Sequence, residues 1–169
     1  MLGSKSGVCV RRSKFADAKA LSELFRATWQ QAYQGIIPHL HLDNMIRRRG
    51  PEWWRSSMRS GDSILVLEVA GEVVGYATYG VARSRGPFTG EIYELYMAPS
   101  HQGLGFGELL FEGCRHNLDQ RPLKGLLVWV LSENTKASDF YWRRGGRPIA
   151  RAFDRIGGAK LEKIAFTWS

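Results

Sequence analysis

Residues 91–114 read EIYELYMAPSHQGLGFGELLFEGC: a strand-like apolar run stopped at Pro99, three glycines at alternate positions (Gly103, Gly105, Gly107), then an amphipathic helical pattern. Glycine inside a helix costs up to about 1 kcal/mol relative to alanine. A chain that places three of them at a helix entrance is held to strand–turn–helix there, and the turn must serve something besides helix formation. The first amides of a helix are unpaired and lie at the positive end of its dipole, and glycines without Cβ atoms let an anion approach the backbone. Two phosphate loops are excluded by the residues that follow. A nucleotide P-loop needs Lys-Ser/Thr after its last glycine, and Glu108-Leu109 stand there. A dinucleotide fingerprint needs G-x-G-x-x-G with an acidic residue roughly 20 positions on, and Glu108, Leu110 and Lys124 occupy the tested positions.

The rest of the 169 residues falls into short elements without internal repeats. GVCVRRS reads as a strand. DAKALSELFRATWQQAY carries Ala18, Leu21, Leu24, Phe25 and Thr28 at helical spacing, with Asp17 as its cap. GIIPHLHLDNM breaks that helix, and a second helix is expected at EWWRSSMRS behind Pro51. SILVLEVA and EVVGYATYGV form a hairpin through Gly71-Glu72, and RSRGPFTG is a loop. The strand EIYELYMA and the helix GELLFEGCRHNL flank the glycine turn. A strand GLLVWVLS, a helix NTKASDFYWRR ended by Gly145-Gly146, and two strands joined at Gly157-Gly158 complete the chain. The order β-α-α-β-β-β-α-β-α-β-β predicts a mixed α/β fold in one domain over residues 1–169.

Composition narrows the classes. No apolar run approaches the roughly 18 residues of a membrane span, and the first residues show no secretory leader, so a cytoplasmic protein without a membrane partner is expected. Cys9 and Cys114 lack metal-ligand spacing and read as two thiols. His39 and His41 have no evident third ligand, so no metal is expected. The net charge is +8, yet the basic residues are scattered. Arg47-Arg48-Arg49 and Arg143-Arg144 read as solvated faces, which argues against nucleic acid.

Gln102-Gly103-Leu104-Gly105-Phe106-Gly107 resembles Q/R-x-x-G-x-G/A, the signature of the GNAT superfamily of N-acetyltransferases, and NTKASDFYWRRGG resembles its second motif, N-x-x-A-x-x-F-Y-x-x-x-G. The element order is similar along nearly the whole chain. The resemblance implies a mostly antiparallel twisted sheet of about seven strands flanked by about four helices. It implies acetyl-CoA as co-substrate, held by backbone groups of Leu95, Tyr96 and Met97, by the turn from Gln102 to Gly107 (Gln102, Gly103, Leu104, Gly105, Phe106, Gly107), and by Asn134 and Tyr141. The Leu95 amide would polarise the thioester. Asn134 is also the residue type of a helix cap.

Catalytically, the resemblance makes Tyr141 the general acid for the departing thiolate. A base or a water chain must take the proton of the acceptor amine. Strand alternation puts Glu91 and Glu94 on opposite faces. Glu91 stands eleven residues before Gln102, the spacing of the catalytic glutamate in the histone-acetyltransferase branch, which favours Glu91 with Glu94 as the alternative. Trp29 and Tyr33, one helical turn apart, either line the acceptor pocket or pack in the core. The reaction expected is direct attack by a small-molecule or peptide amine. A domain that binds acyl-CoA without turnover, and a different acyl donor, are the other readings. Dimers are common in the superfamily.

Overall fold

The computed structural model describes residues 7–169 and the backbone of the strand Leu2–Lys5. Its strands are β1 (Leu2–Lys5), β2 (Val8–Arg12), β3 (Ser63–Val69), β4 (Glu72–Val81), β5 (Gly90–Met97), β6 (Leu126–Leu131), β7 (Arg147–Ile156) and β8 (Ala159–Trp168). Its helices are α1 (Ala18–Tyr33), α2 (His39–Arg48), α3 (Pro51–Arg59), α4 (Phe106–Asp119) and α5 (Thr135–Arg143). One eight-stranded sheet runs in the order β1-β2-β3-β4-β5-β6-β8-β7. Every pairing is antiparallel except β5 with β6, so the mixed, mostly antiparallel sheet expected from the sequence is present. The additional strand is β1. The additional helix is α2, in the segment read as a helix break: Pro38 stands at its start, and Leu42 and Ile46, one turn apart, bury its inner face.

β3 is buried on both sides, which is why it reads as a continuous apolar run. Leu65 and Leu67 face Leu110, Phe111, Cys114 and Leu118 of α4 and Tyr141 of α5. Ile64 and Val66 face Leu21, Leu24 and Phe25 of α1, Ile46 of α2 and Trp54 of α3. The sheet therefore separates two apolar layers, α4 and α5 on one face and α1 to α3 on the other. Cys9 and Cys114 are free thiols. Among the described residues, no helix is long and apolar enough to cross a membrane.

Asp17 occupies the cap position of α1, but its carboxylate does not cap the helix. It accepts both Arg11 guanidinium nitrogens (2.8 and 2.9 Å) and the Lys14 N–H (2.8 Å). Burial alone would raise its pKa; the Arg11 and Lys14 bonds outweigh burial and hold it below the usual carboxylate value. A depressed folded pKa stabilises above the unfolded value of about 3.9 and is lost as pH falls through the folded one. Asp17→Asn is expected to cost about 2 kcal/mol at pH 7. In urea unfolding, the gap to the parent protein should narrow once the pH drops below about 4; a gap independent of pH would remove the ion pair from the explanation.

Candidate functional site

Two clefts meet at the middle of the sheet because β5 and β6 separate. Their parallel pairing covers only Gly90 with Leu126 and Glu91 with Leu127. Beyond that point β5 continues alone beside β4. The Ala98 N–H donates to the Val74 carbonyl (2.7 Å) on the β4 side. Strand alternation then turns the N–H and C=O groups of Leu95 and Met97 toward the opposite edge, where β6 has left. The Met97 carbonyl accepts the Gln102 side-chain amide (3.0 Å) on that edge. Tyr96 differs from the expectation: its backbone lies in the ladder opposite Tyr76, so it reaches the site through its side chain.

The first cleft, about 450 Å³, lies in this gap and is lined by Leu95, Tyr96, Met97, Gln102, Gly107, Asn134 and Tyr141, with Phe140 beside them. Gly103, Leu104, Gly105 and Phe106 form the turn between Gln102 and the body of α4. Gly103 (φ +76) and Gly105 (φ +81) adopt the left-handed region that glycine enters without strain. Gly107 is glycine for another reason: a Cβ there would stand 3.1 Å from the Phe140 ring, so its absence lets α4 sit against α5. Among the described residues, no side chain caps the start of α4. Its first amides, together with the Leu95 groups and the Met97 N–H on the freed edge of β5, have no protein partner among the described residues and are of the kind a pyrophosphate and an amide-bearing arm satisfy. The residues present therefore fit coenzyme A.

Asn134 caps α5, its Oδ1 accepting the Ala137 N–H (3.3 Å). Seven residues on, about two turns, Tyr141 lies on the same helix face. Burial, then the neighbouring Cys114 and Tyr33, push the Tyr141 phenol well above its ordinary value, and no hydrogen bond offsets this. The phenol stays protonated throughout the neutral range.

The second cleft, about 490 Å³, is bounded by Trp29 and Tyr33 of α1, Glu91, Glu94 and Tyr96 of β5, Trp129 of β6 and the β7–β8 hairpin. Glu91 and Glu94 share this cleft, contrary to the opposite faces expected from alternation. The register explains it. Thr78 pairs with Glu94 and Tyr79 with Ile92, so Tyr93 is an extra residue, a bulge that resets the alternation. Ile92 is turned into the α4 core.

The two carboxylates are held differently. Glu91, 1% exposed, accepts the Arg83 N–H (2.9 Å) and Nη2 (3.3 Å). Glu94 accepts Arg49 Nη2 (2.8 Å), Arg49 Nη1 (3.3 Å) and the Tyr76 hydroxyl (2.9 Å), and Tyr76 in turn accepts Trp29 Nε1 (3.0 Å). Arg49 lies over the rings of Trp53 (3.8 Å) and Phe25 (4.7 Å). The solvated face expected for Arg47-Arg48-Arg49 therefore holds for the first two only. Asp154 pairs with Lys163 (3.1 Å) on the β7–β8 wall of the same cleft. Sequence reasoning missed Arg49, Arg83, Asp154 and Lys163, which carry no local signal. Tyr96 lines both clefts, and its hydroxyl meets that of Tyr33.

The acetyltransferase (GNAT) family model matches residues 19–145. An uncharacterized N-acetyltransferase of Bacillus subtilis, YuaI, is 26% identical over 95% of this chain and 92% of its own. Two solved structures share the fold. PaiA N-acetyltransferase of Thermoplasma acidophilum, in complex with coenzyme A, has a TM-score of 0.73 at 16% identity, covering 93% of this chain and 97% of that one. YncA of Salmonella typhimurium, with its cofactor acetyl-CoA, has a TM-score of 0.67 at 22% identity, covering 96% and 93%.

Proposed function

The chain belongs to the acetyltransferase (GNAT) family, and from that premise we propose that it transfers an acetyl group from acetyl-CoA to the primary amine of a small molecule or peptide, by direct attack with both substrates bound. The observation that carries this reading is the junction of the two clefts at β5, which brings the gap lined by Leu95, Met97, Gln102, Asn134 and Tyr141 against a pocket containing carboxylates. Acetyl-CoA supplies the activated acetyl thioester. The amides at the start of α4 receive its pyrophosphate, and the exposed edge of Leu95 and Met97 takes the arm. The Leu95 N–H polarises the thioester carbonyl as charge gathers on its oxygen. Tyr141 gives its proton to the departing sulfur and regains one from solvent.

The acceptor enters from the second cleft, its body against Trp29 and Tyr33. An ammonium with a pKa of about 10 must lose a proton before it attacks, and the attacking nitrogen loses another as the amide forms. Both leave through solvent in the cleft toward Glu91, which returns them to bulk. Glu91 is taken as the receiver because its guanidinium partner, Arg83, is 67% exposed and free to swing aside, whereas the Arg49 that clamps Glu94 through two nitrogens is 20% exposed. The cleft pairs three carboxylates with three cations, so it imposes no strong net charge on the acceptor.

Thiol release from acetyl-CoA, followed across a panel of amines, tests the reading. Release that depends on the amine supports it; coenzyme A binding without release for any amine supports a non-catalytic binder. Glu91→Gln should lower the rate by about 10²-fold, most severely at low pH where the amine is protonated. If Glu94→Gln shows that pattern and Glu91→Gln does not, Glu94 is the base.

A further inference from the structure

A third cleft, about 420 Å³, opens at the other end of α4, between the second half of that helix and strands β2 to β4. It shares no lining residue with either cleft described above. Val10 and Leu65, both buried, supply its apolar lining. The polar groups around them are mostly donors: Arg12 from the end of β2, His116 and Asn117 from α4, and Gln120 and Arg121 just beyond it. No carboxylate lines the cleft. In the acceptor cleft each cation has its carboxylate. Here Arg11 is matched by Asp17 and Glu68, while Arg12 and Arg121 form no ion pair among the described residues. Arg121 donates to the Ser63 hydroxyl (2.6 Å), which fixes the guanidinium and uses one of its five N–H groups. Tyr79, 3% exposed, brings its hydroxyl to the same wall, against the Asn117 side-chain amide (2.9 Å). Turning that amide either way leaves an N–H or O–H of the pair with no acceptor among the described residues. The carbonyls at the end of a helix favour cations, which accounts for His116 and Arg121. They do not account for Arg12, which arrives from another element, or for a buried donor.

We propose that this cleft binds a small molecule carrying a phosphate group, held between Arg12 and Arg121, with the Asn117–Tyr79 pair as a further donor. Guanidinium groups meet such oxyanions through paired N–H bonds, and the ligand brings the negative charge that the lining lacks. A cleft of this size takes one small molecule rather than a nucleic-acid strand. The site is separate from that of coenzyme A: Asn117 stands ten residues along α4 from Gly107, about 15 Å at the helical rise. Binding here does not depend on the acetyl transfer proposed above.

Titration of the full chain with phenyl phosphate at constant ionic strength, followed through backbone amide NMR shifts with and without coenzyme A, tests the proposal. Saturable shifts are expected at residues 10–12 and 113–121, with a Kd below about 1 mM that coenzyme A leaves unchanged. Arg12→Gln should weaken binding by about 10-fold without lowering the thermal midpoint, because Arg12 is exposed and unpaired. Arg48→Gln, which removes an exposed cation from α2, should leave the Kd as it is. Benzoate should bind more weakly than phenyl phosphate; equal or tighter binding would overturn the phosphate assignment. Shifts centred on the start of α4 that coenzyme A abolishes would place the phosphate in the coenzyme cleft and overturn the site. So would the absence of saturable shifts, or equal losses in Arg12→Gln and Arg48→Gln, which would reduce the effect to the net charge of the chain.

Discussion

Tyr141→Phe is expected to lower kcat by about 10²-fold while coenzyme A affinity and folding stability hold. The reason lies in what the hydroxyl lacks. Tyr141 is 5% exposed and packs between Phe111, Phe166 and Trp168, so phenylalanine fills its place. Among the described residues, no group hydrogen-bonds its hydroxyl. Removing a polar atom with no partner leaves nothing behind unsatisfied, so the fold loses nothing. What disappears is the proton offered to sulfur. Stopped-flow thiol release and coenzyme A titration read the two quantities separately. Because burial raises its pKa, the parent rate should not decline through Tyr141 ionisation below about pH 10. Unchanged turnover in Tyr141→Phe removes the acid role.

Arg49→Met is expected to destabilise the protein by about 3–5 kcal/mol. The guanidinium joins α2 and α3 to β5: it lies against Phe25, Trp53 and Trp54 and forms a two-nitrogen contact with Glu94. Methionine replaces much of the apolar stem but leaves Glu94, only 14% exposed, with the Tyr76 hydroxyl as its remaining donor. The penalty is mainly that of an uncompensated carboxylate, so Glu94→Gln in the same chain should restore a large part of it. Urea unfolding of both single variants and the double variant measures the coupling. A loss below about 1 kcal/mol, the size seen for exposed pairs, would show that Arg49 does not hold the acceptor side together.

The parts of this architecture that local chemistry sets were legible in the sequence. Leu21, Leu24, Phe25 and Thr28 mark the buried stripe of α1, Asn134 caps α5, and Gly145-Gly146 ends it, with the Gly146 N–H returning to the Tyr141 carbonyl. The glycine turn was legible because three glycines in five residues run against helix propensity and so mark the turn before any partner is known. What the sequence concealed depends on partners far away. The bulge at Tyr93 exists only in the register of β4 against β5, so alternation alone sent Glu91 and Glu94 to different faces. Arg49 is one of three consecutive arginines, and only the fold returns it to Glu94, 45 residues on. The helix α2 was hidden by Pro38 and by polar residues between Leu42 and Ile46. Gly107 carried the right residue for a reason the sequence did not disclose, its contact with Phe140 from the second motif.

The most direct test of the account is a single-turnover mixture of the protein with acetyl-CoA, with and without an amine that supports thiol release, followed by mass spectrometry of both protein and amine. Direct attack across the junction of the two clefts predicts one acetyl group on the amine, an unmodified protein, and no loss of thioester when the amine is omitted. Acetyl mass on the protein before the amine is added would contradict it.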